Sequence, residues 1–159
     1  MRKIMFILLT AVVLSSCGAS QVQREARKTF NGGWTLSNIS FPNSSDGLQV
    51  TLFEDATADC LRNSNWTFIS NNNEGTYTLT SATCDTSTRH FIWSIDEVNA
   101  ATGTYNLLLK PTNADHESTT GNQGFRINIV TLTDTNMVWE QTVNFEGEPF
   151  TIRMNFNKN

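Results

Sequence analysis

Three cysteines, two histidines and four tryptophans carry most of the chemistry open to this chain of 159 residues. A thiol can be acylated, oxidised to a disulfide or bound to a metal, and an imidazole can serve as base or ligand. An enzyme needs an activated nucleophile, an acid/base pair or a metal at one place. The histidines do not meet that need. His90 follows Arg89 at the start of an alternating run, and His116 stands in the polar stretch Asp115-His116-Glu117. That triplet could touch a metal, and a solvated loop accounts for it as well. No Ser-His-Asp order, Gly-rich phosphate loop or paired catalytic carboxylates accompany it. The chain is therefore expected to be no enzyme, with no cofactor and no metal.

The cysteines sort by position. Two cations, Arg2 and Lys3, precede a mostly apolar run from Ile4 to Leu14. That run is well short of the roughly 20 residues that span a bilayer as a helix. It reads as the core of a secretory signal peptide over residues 1–16. The segment ends Leu14-Ser15-Ser16-Cys17, which resembles the bacterial lipobox. The resemblance implies cleavage before Cys17, palmitate-type acylation of its thiol, and usually acylation of the new amine. Stable anchoring takes two or more chains, at about 0.8 kcal/mol per buried methylene. The membrane would thus be a partner through lipid. Residues 17–29 then form a tether, small and polar at first, with one short helical turn over 24–30. Gly18 stands where an Asp commonly retains such proteins at the inner membrane. The expected place is the cell envelope, lipid-anchored to the outer membrane and facing the periplasm.

Cys60 and Cys84 remain, an even number in an oxidising compartment, and one disulfide is the simplest use of them. Closing a loop of about 25 residues stabilises by about 3.5 kcal/mol in the chain-entropy account. Two free thiols or a metal pair are the alternatives, and no His stands nearby at ligand spacing. Without Arg2 and Lys3 the chain keeps 9 of its 11 Lys+Arg against 15 Asp+Glu, a formal charge of −6. That acidic balance argues against nucleic acid and against electrostatic docking on anionic lipid. Four Trp and ten Phe supply a core.

Chain segments that would position these residues alternate with period two. Trp66 and Phe68 share a face, as do Tyr77 and Leu79. So do Phe91, Trp93 and Ile95, then Tyr105, Leu107 and Leu109, then Phe125, Ile127 and Ile129. Met137 to Phe145 and Phe150 to Phe156 repeat the pattern, and 34–41 and 48–54 complete about nine half-buried antiparallel strands. Asn- and Gly-rich turns at 43–47, 71–75, 99–103, 121–124 and 146–149 separate them. Short links favour consecutive pairing, and a sheet of this size removes its edges by closing. The expected fold is all-β, a single antiparallel up-and-down barrel of eight or nine strands over 30–159, with a two-sheet sandwich as rival. Residues 55–63 are an irregular insertion carrying Cys60.

Gly32-x-Trp34, opening the first strand after a helical turn, resembles the Gly-x-Trp signature of lipocalins. With Cys60, Trp66-x-Phe68, Gly75-Thr76-Tyr77, Cys84 and Trp93-Ser94-Ile95, the series is similar to small lipocalin-like lipoproteins of Bacteroidetes-type bacteria. It covers most of the mature chain. The resemblance implies an eight-stranded barrel with a cavity for a small apolar molecule. It makes Gly32 and Trp34 the barrel base, with an Arg packed across the indole, for which Arg126 and Arg153 are both candidates. A second signature motif and a C-terminal helix are not seen. Trp66, Phe91, Trp93, Met137 and Trp139 could line the cavity or simply fill the core. The expected function is membrane-anchored binding of a small hydrophobic ligand. The alternative is a non-catalytic structural or interaction module whose barrel is filled with side chains.

Overall fold

A computed structural model of the chain describes residues 20–44, 49–99, 102 and 104–159. Residues 1–16, read above as a signal peptide, and Cys17 lie outside the described residues. In chain order the elements are α1 (Gln21–Phe30), β1 (Gly32–Ser40), β2 (Thr51–Leu52), β3 (Ala56–Thr57) and α2 (Ala58–Leu61). They continue with β4 (Asn65–Ile69), β5 (Glu74–Thr78), β6 (Thr88–Asn99), β7 (Thr104–Thr112), β8 (Phe125–Leu132), β9 (Asn136–Phe145) and β10 (Glu148–Lys158). Eight strands close into one antiparallel barrel in the order β1-β10-β9-β8-β7-β6-β5-β4. The short β2 and β3 form a separate two-stranded piece.

Period-two alternation explains which residues fill the barrel, because successive side chains of a strand point to opposite faces. In β4 the apolar Trp66 and Phe68 are buried while Asn65, Thr67 and Ile69 are exposed. Register carries the pattern from strand to strand: Trp66 pairs with Tyr77, Trp93 with Leu109, Leu107 with Ile127, and Trp139 with both Ile129 and Met154. Irregularities at Leu36/Asn38 and Ile129/Thr131 are the local bends that help a sheet curl shut. Gly75 matters to the packing. A Cβ there would lie 2.2 Å from the Phe91 ring and 2.7 Å from the Thr67 carbonyl oxygen, so only a bare Cα lets Phe91 lie across β5.

The run 48–54, read as a strand, is different. It contributes Thr51–Leu52 alone, paired with Ala56–Thr57 outside the barrel. Phe53 and Glu54 both take left-handed φ, 57° and 54°, and fold the chain back on itself. The turn expected over 24–30 is also longer, a ten-residue α1. Ser20 and Gln23 form a reciprocal capping box that begins the helix at Gln21, inside the stretch read as tether.

α1 packs Ala26 and Phe30 into the core at one end, the base. Trp34 is fully buried there, and its indole Nε1 donates to the Phe30 carbonyl at 2.8 Å. Gly32 turns the chain from helix into β1 at φ 111°, a conformation that side chains rarely adopt. The cation across the indole is neither Arg126 nor Arg153, which pair with Asp96 and Glu140. It is Lys158, whose Nζ lies 4.8 Å from the Trp34 ring centroid and donates to the Thr29 carbonyl. At the other end, the mouth, β9 and β10 run past their neighbours as a two-stranded ribbon. β8 stops pairing at Glu140 and β1 at Arg153. Trp34→Ala is expected to cost about 3–5 kcal/mol, a large share of a domain's 5–15 kcal/mol. Urea unfolding would measure it, and a shift below about 1 kcal/mol would deny Trp34 the role of plug.

Candidate functional site

Trp66 is the centre of the interior. It stacks on Tyr77 with ring centroids 4.3 Å apart and meets Trp139 and Phe156 edge-on at 5.6 and 5.8 Å. Phe91 lies 5.5 Å from it. All five residues read as cavity candidates (Trp66, Phe91, Trp93, Met137, Trp139) are buried. Trp93 sits nearer the base, against Phe30 and Phe68, and Met137 pairs with Phe156. Edge-on and offset contacts of this kind add to the burial of each ring. Three of the four indoles satisfy their N–H. Trp34 uses the Phe30 carbonyl, Trp66 the Ser64 hydroxyl at 2.8 Å, and Trp93 the Glu74 carbonyl at 2.9 Å. The fourth, Trp139 Nε1, is buried with no hydrogen-bond partner among the described residues.

The mouth is closed by the irregular insertion. From the turn after β2, Phe53 drops inward and meets Trp66 and Phe125 edge-on at 5.8 and 5.4 Å. Near α2 the Asn63 N–H donates to the Leu36 carbonyl of β1 at 2.7 Å, and two further ties hold this lid. Cys60 and Cys84 are disulfide-bonded, with Cα atoms 5.8 Å apart, fixing α2 to the β5–β6 connection. Asp55 accepts hydrogen bonds from Tyr77 Oη at 2.7 Å and Arg89 Nε at 2.6 Å. Tyr77 and Arg89 are direct cross-strand partners, and the guanidinium leans over the phenol ring. Arg89 is locked further by the carbonyls of Asp85 and Ser87. A cleft of about 430 Å³ opens beside the lid, bordered by Phe53, Asp55, Tyr77, Arg89, Pro111 and Thr112. The Thr112 hydroxyl, on a residue 5 % exposed, has no partner among the described residues.

Burial, and then the hydrogen bond to Asp55, hold the Tyr77 phenol well above its ordinary pKa. It is a hydrogen-bond donor across the physiological range and no base. Asp85 is pulled down by the Ser87 backbone N–H, with the Ser87 hydroxyl adding to it. His116 lies 3.5 Å from a Glu74 carboxylate oxygen, and His90 pairs with Thr76 and Thr112 in the sheet. Among the described residues no three His, Cys, Asp or Glu side chains converge as metal ligands.

Two further clefts lie outside the barrel. One of about 600 Å³ runs over β6, β7 and β8 past Ile92, Leu108, Lys110 and Arg126, and Trp93 borders it. The other, about 260 Å³ at the base, is lined by Arg24, Arg27, Lys28, Asn31 and Ser70. Sequence reasoning missed Phe53, Asp55 and Arg89 as a unit. Period two places Tyr77 and Arg89 on the inward faces of neighbouring strands, but nothing local brings Asp55 to them.

A family model described as a lipocalin-like domain matches residues 30–139, more than half of the chain. Among curated proteins none matches.

The raised Tyr77 pKa sets an alkaline limit. An unfolded tyrosine ionises near pH 10 while folded Tyr77 stays protonated. Its contribution to stability is therefore complete below about pH 10 and is lost as pH rises above it. Tyr77→Phe is expected to flatten the fall in stability between about pH 9 and 11, measured by urea unfolding. An unchanged slope would mean that Tyr77 titrates alike in both states. Cys60→Ser with Cys84→Ser is expected to speed amide exchange over 50–62 and leave β8–β10 protected. Exchange rising throughout the barrel would mean that the disulfide holds the whole fold and not the lid.

Proposed function

The chain belongs to the lipocalin-like domain family, and from that premise we propose a non-catalytic binding protein held at a membrane by lipid on Cys17. Its ligand is a small hydrophobic molecule that enters at the mouth. One observation carries this reading: an aromatic interior with an unpartnered donor, Trp139 Nε1, lies under a lid held by side chains and not by the barrel's strand ladder. Small-molecule sites have this composition, apolar walls with few polar groups that fix orientation. A buried unpaired donor costs about 1–3 kcal/mol, and a ligand acceptor atom would recover part of that. Lifting Phe53 would open the cleft at the lid toward the Trp66 ring.

The alternative is a filled barrel that works through its outer surface. The 4.3 Å stack of Trp66 on Tyr77 favours it, since that contact leaves no gap between the two rings. Under either reading the protein is a bacterial lipoprotein of the cell envelope, anchored at the outer membrane and facing the periplasm.

Native mass spectrometry of protein purified from its own membranes separates the two. A co-purified apolar molecule is expected, and its retention should fall in Trp139→Phe. Bare protein, together with no stabilisation by a panel of fatty acids and sterol-like molecules, would leave the filled barrel standing. The anchor is tested independently. Cys17→Ser is expected to abolish acyl labelling and release the protein to the soluble fraction, and a variant that stays membrane-bound and labelled would refute it.

A further inference from the structure

We infer that the cleft beside α1 seats the phosphate of an anionic phospholipid headgroup, so that the barrel stands on its base with its mouth turned away from the bilayer. The inference rests on the anchor at Cys17. The acidic balance that argued against anionic lipid is a sum over the chain, and the charges are not spread evenly. Of the nine Lys and Arg after Cys17, three lie on the ten-residue α1, with Glu25 the single carboxylate among them. Arg24, Arg27 and Lys28 stand three and four residues apart, on one side of the helix.

The cleft they border holds groups that can donate: two guanidiniums, an ammonium and the Asn31 amide nitrogen, with Ser70 beside them. It is also preorganised. Arg27 Nη2 is held by the Ser70 carbonyl and the Asn73 side chain. Asn31 Oδ1 accepts from both the backbone N–H and the hydroxyl of Ser70, at 3.0 and 3.1 Å. Among the described residues neither Arg27 nor Lys28 forms an ion pair with a carboxylate, so their charge is available to an outside anion. Arginine's planar fork suits phosphate oxygens, and a lysine adds a point charge.

Position supplies the phosphate. Two residues separate Cys17 from Ser20, the cap of α1, and the three chain steps between them reach at most about 10 Å. That is about one Debye length at 0.1 M salt. α1 rises about 6 Å from its cap to Arg24 and about 12 Å to Lys28, so an acylated Cys17 keeps the cleft within about two Debye lengths of the headgroups. The mouth is at the opposite end, since β1 runs from Gly32 at the base to Ser40 beside the ribbon.

The test uses the full acylated protein on two kinds of vesicle, phosphatidylcholine alone and phosphatidylcholine with phosphatidylglycerol. Flotation reports the anchor, and hydrogen exchange of residues 20–31 reports the cleft. Equal flotation on both is expected, with α1 exchanging several-fold more slowly on the anionic vesicles and the difference lost in high salt. Each cation near an anionic surface is worth about a fivefold change in occupancy. Lys28→Gln, at an exposed position, should thus cut the anionic-lipid protection about fivefold without lowering the melting temperature. Equal exchange of α1 on both vesicles, with the protein fully floated, would overturn the cleft as a headgroup site. Protein that fails to float on phosphatidylcholine would instead overturn the anchor.

Discussion

β1 is held on one flank by β10 and on the other by β4, and Trp34 stands on both seams, paired with Lys158 and with Trp66. Every other strand meets a neighbour in sequence, so β1–β10 is the contact that turns a meander into a barrel. It joins distant parts of the chain: Thr35 bonds Asn159 across 124 residues. Closing so long a loop costs entropy before any contact repays it. Trp34 answers that cost from inside, by burying a large ring under α1 with its N–H satisfied and a lysine over its face. The aromatic interior above it has no water-free space to occupy until that seam is made.

The two ends of the barrel are built from different interactions. At the base, helix, plug and cation are interlocked, and each closes the same aperture. At the mouth, Phe53 enters on a segment that shares no strand ladder with the barrel. It is held there by Asp55, by the rings Phe53 meets, by the Asn63 N–H on the Leu36 carbonyl and by one covalent tie. Breaking the Asp55 contacts would free Phe53 while α2 stayed fixed to the β5–β6 connection. A segment tied in this way would stay attached to the barrel if it opened.

Most of the barrel was legible because its signal is local. Trp66/Phe68, Phe91/Trp93/Ile95 and Leu107/Leu109 alternate over a few residues, and burial follows the alternation. The disulfide was legible from compartment and count. The segment 48–54 misled because Val50 and Leu52 alternate as a strand would, while the left-handed φ of Phe53 and Glu54 leaves no mark in residue types that usually avoid it. The Asp55–Tyr77–Arg89 cluster depends on a contact across 34 residues, and Lys158 reaches Trp34 from the far end of the chain. No periodicity encodes contacts of that range. The cations of α1 were visible as Arg24, Arg27 and Lys28, but a net charge averaged over the chain hid them.

A closed barrel hides its hydrogen-bonding edges, and among the described residues this one reopens them where a strand outruns its neighbour. Where β6 runs beyond β5, α1 lies against it and Gln23 donates to the Ile95 carbonyl, so that edge is covered. Among the described residues the β9–β10 ribbon is covered only in part, where Phe41 stacks on Phe150. Its backbone beyond Glu140 and before Arg153 is paired on one side, and Phe145 at its tip is 49 % exposed. Unpaired strand edges beside exposed aromatics are templates for edge-to-edge aggregation, and natural sheets blunt them with charge and proline. Glu146, Glu148 and Pro149 stand at that tip, two like charges and a residue with no N–H to offer. Placed there, they are suited to keep the ribbon of one molecule from pairing with that of another.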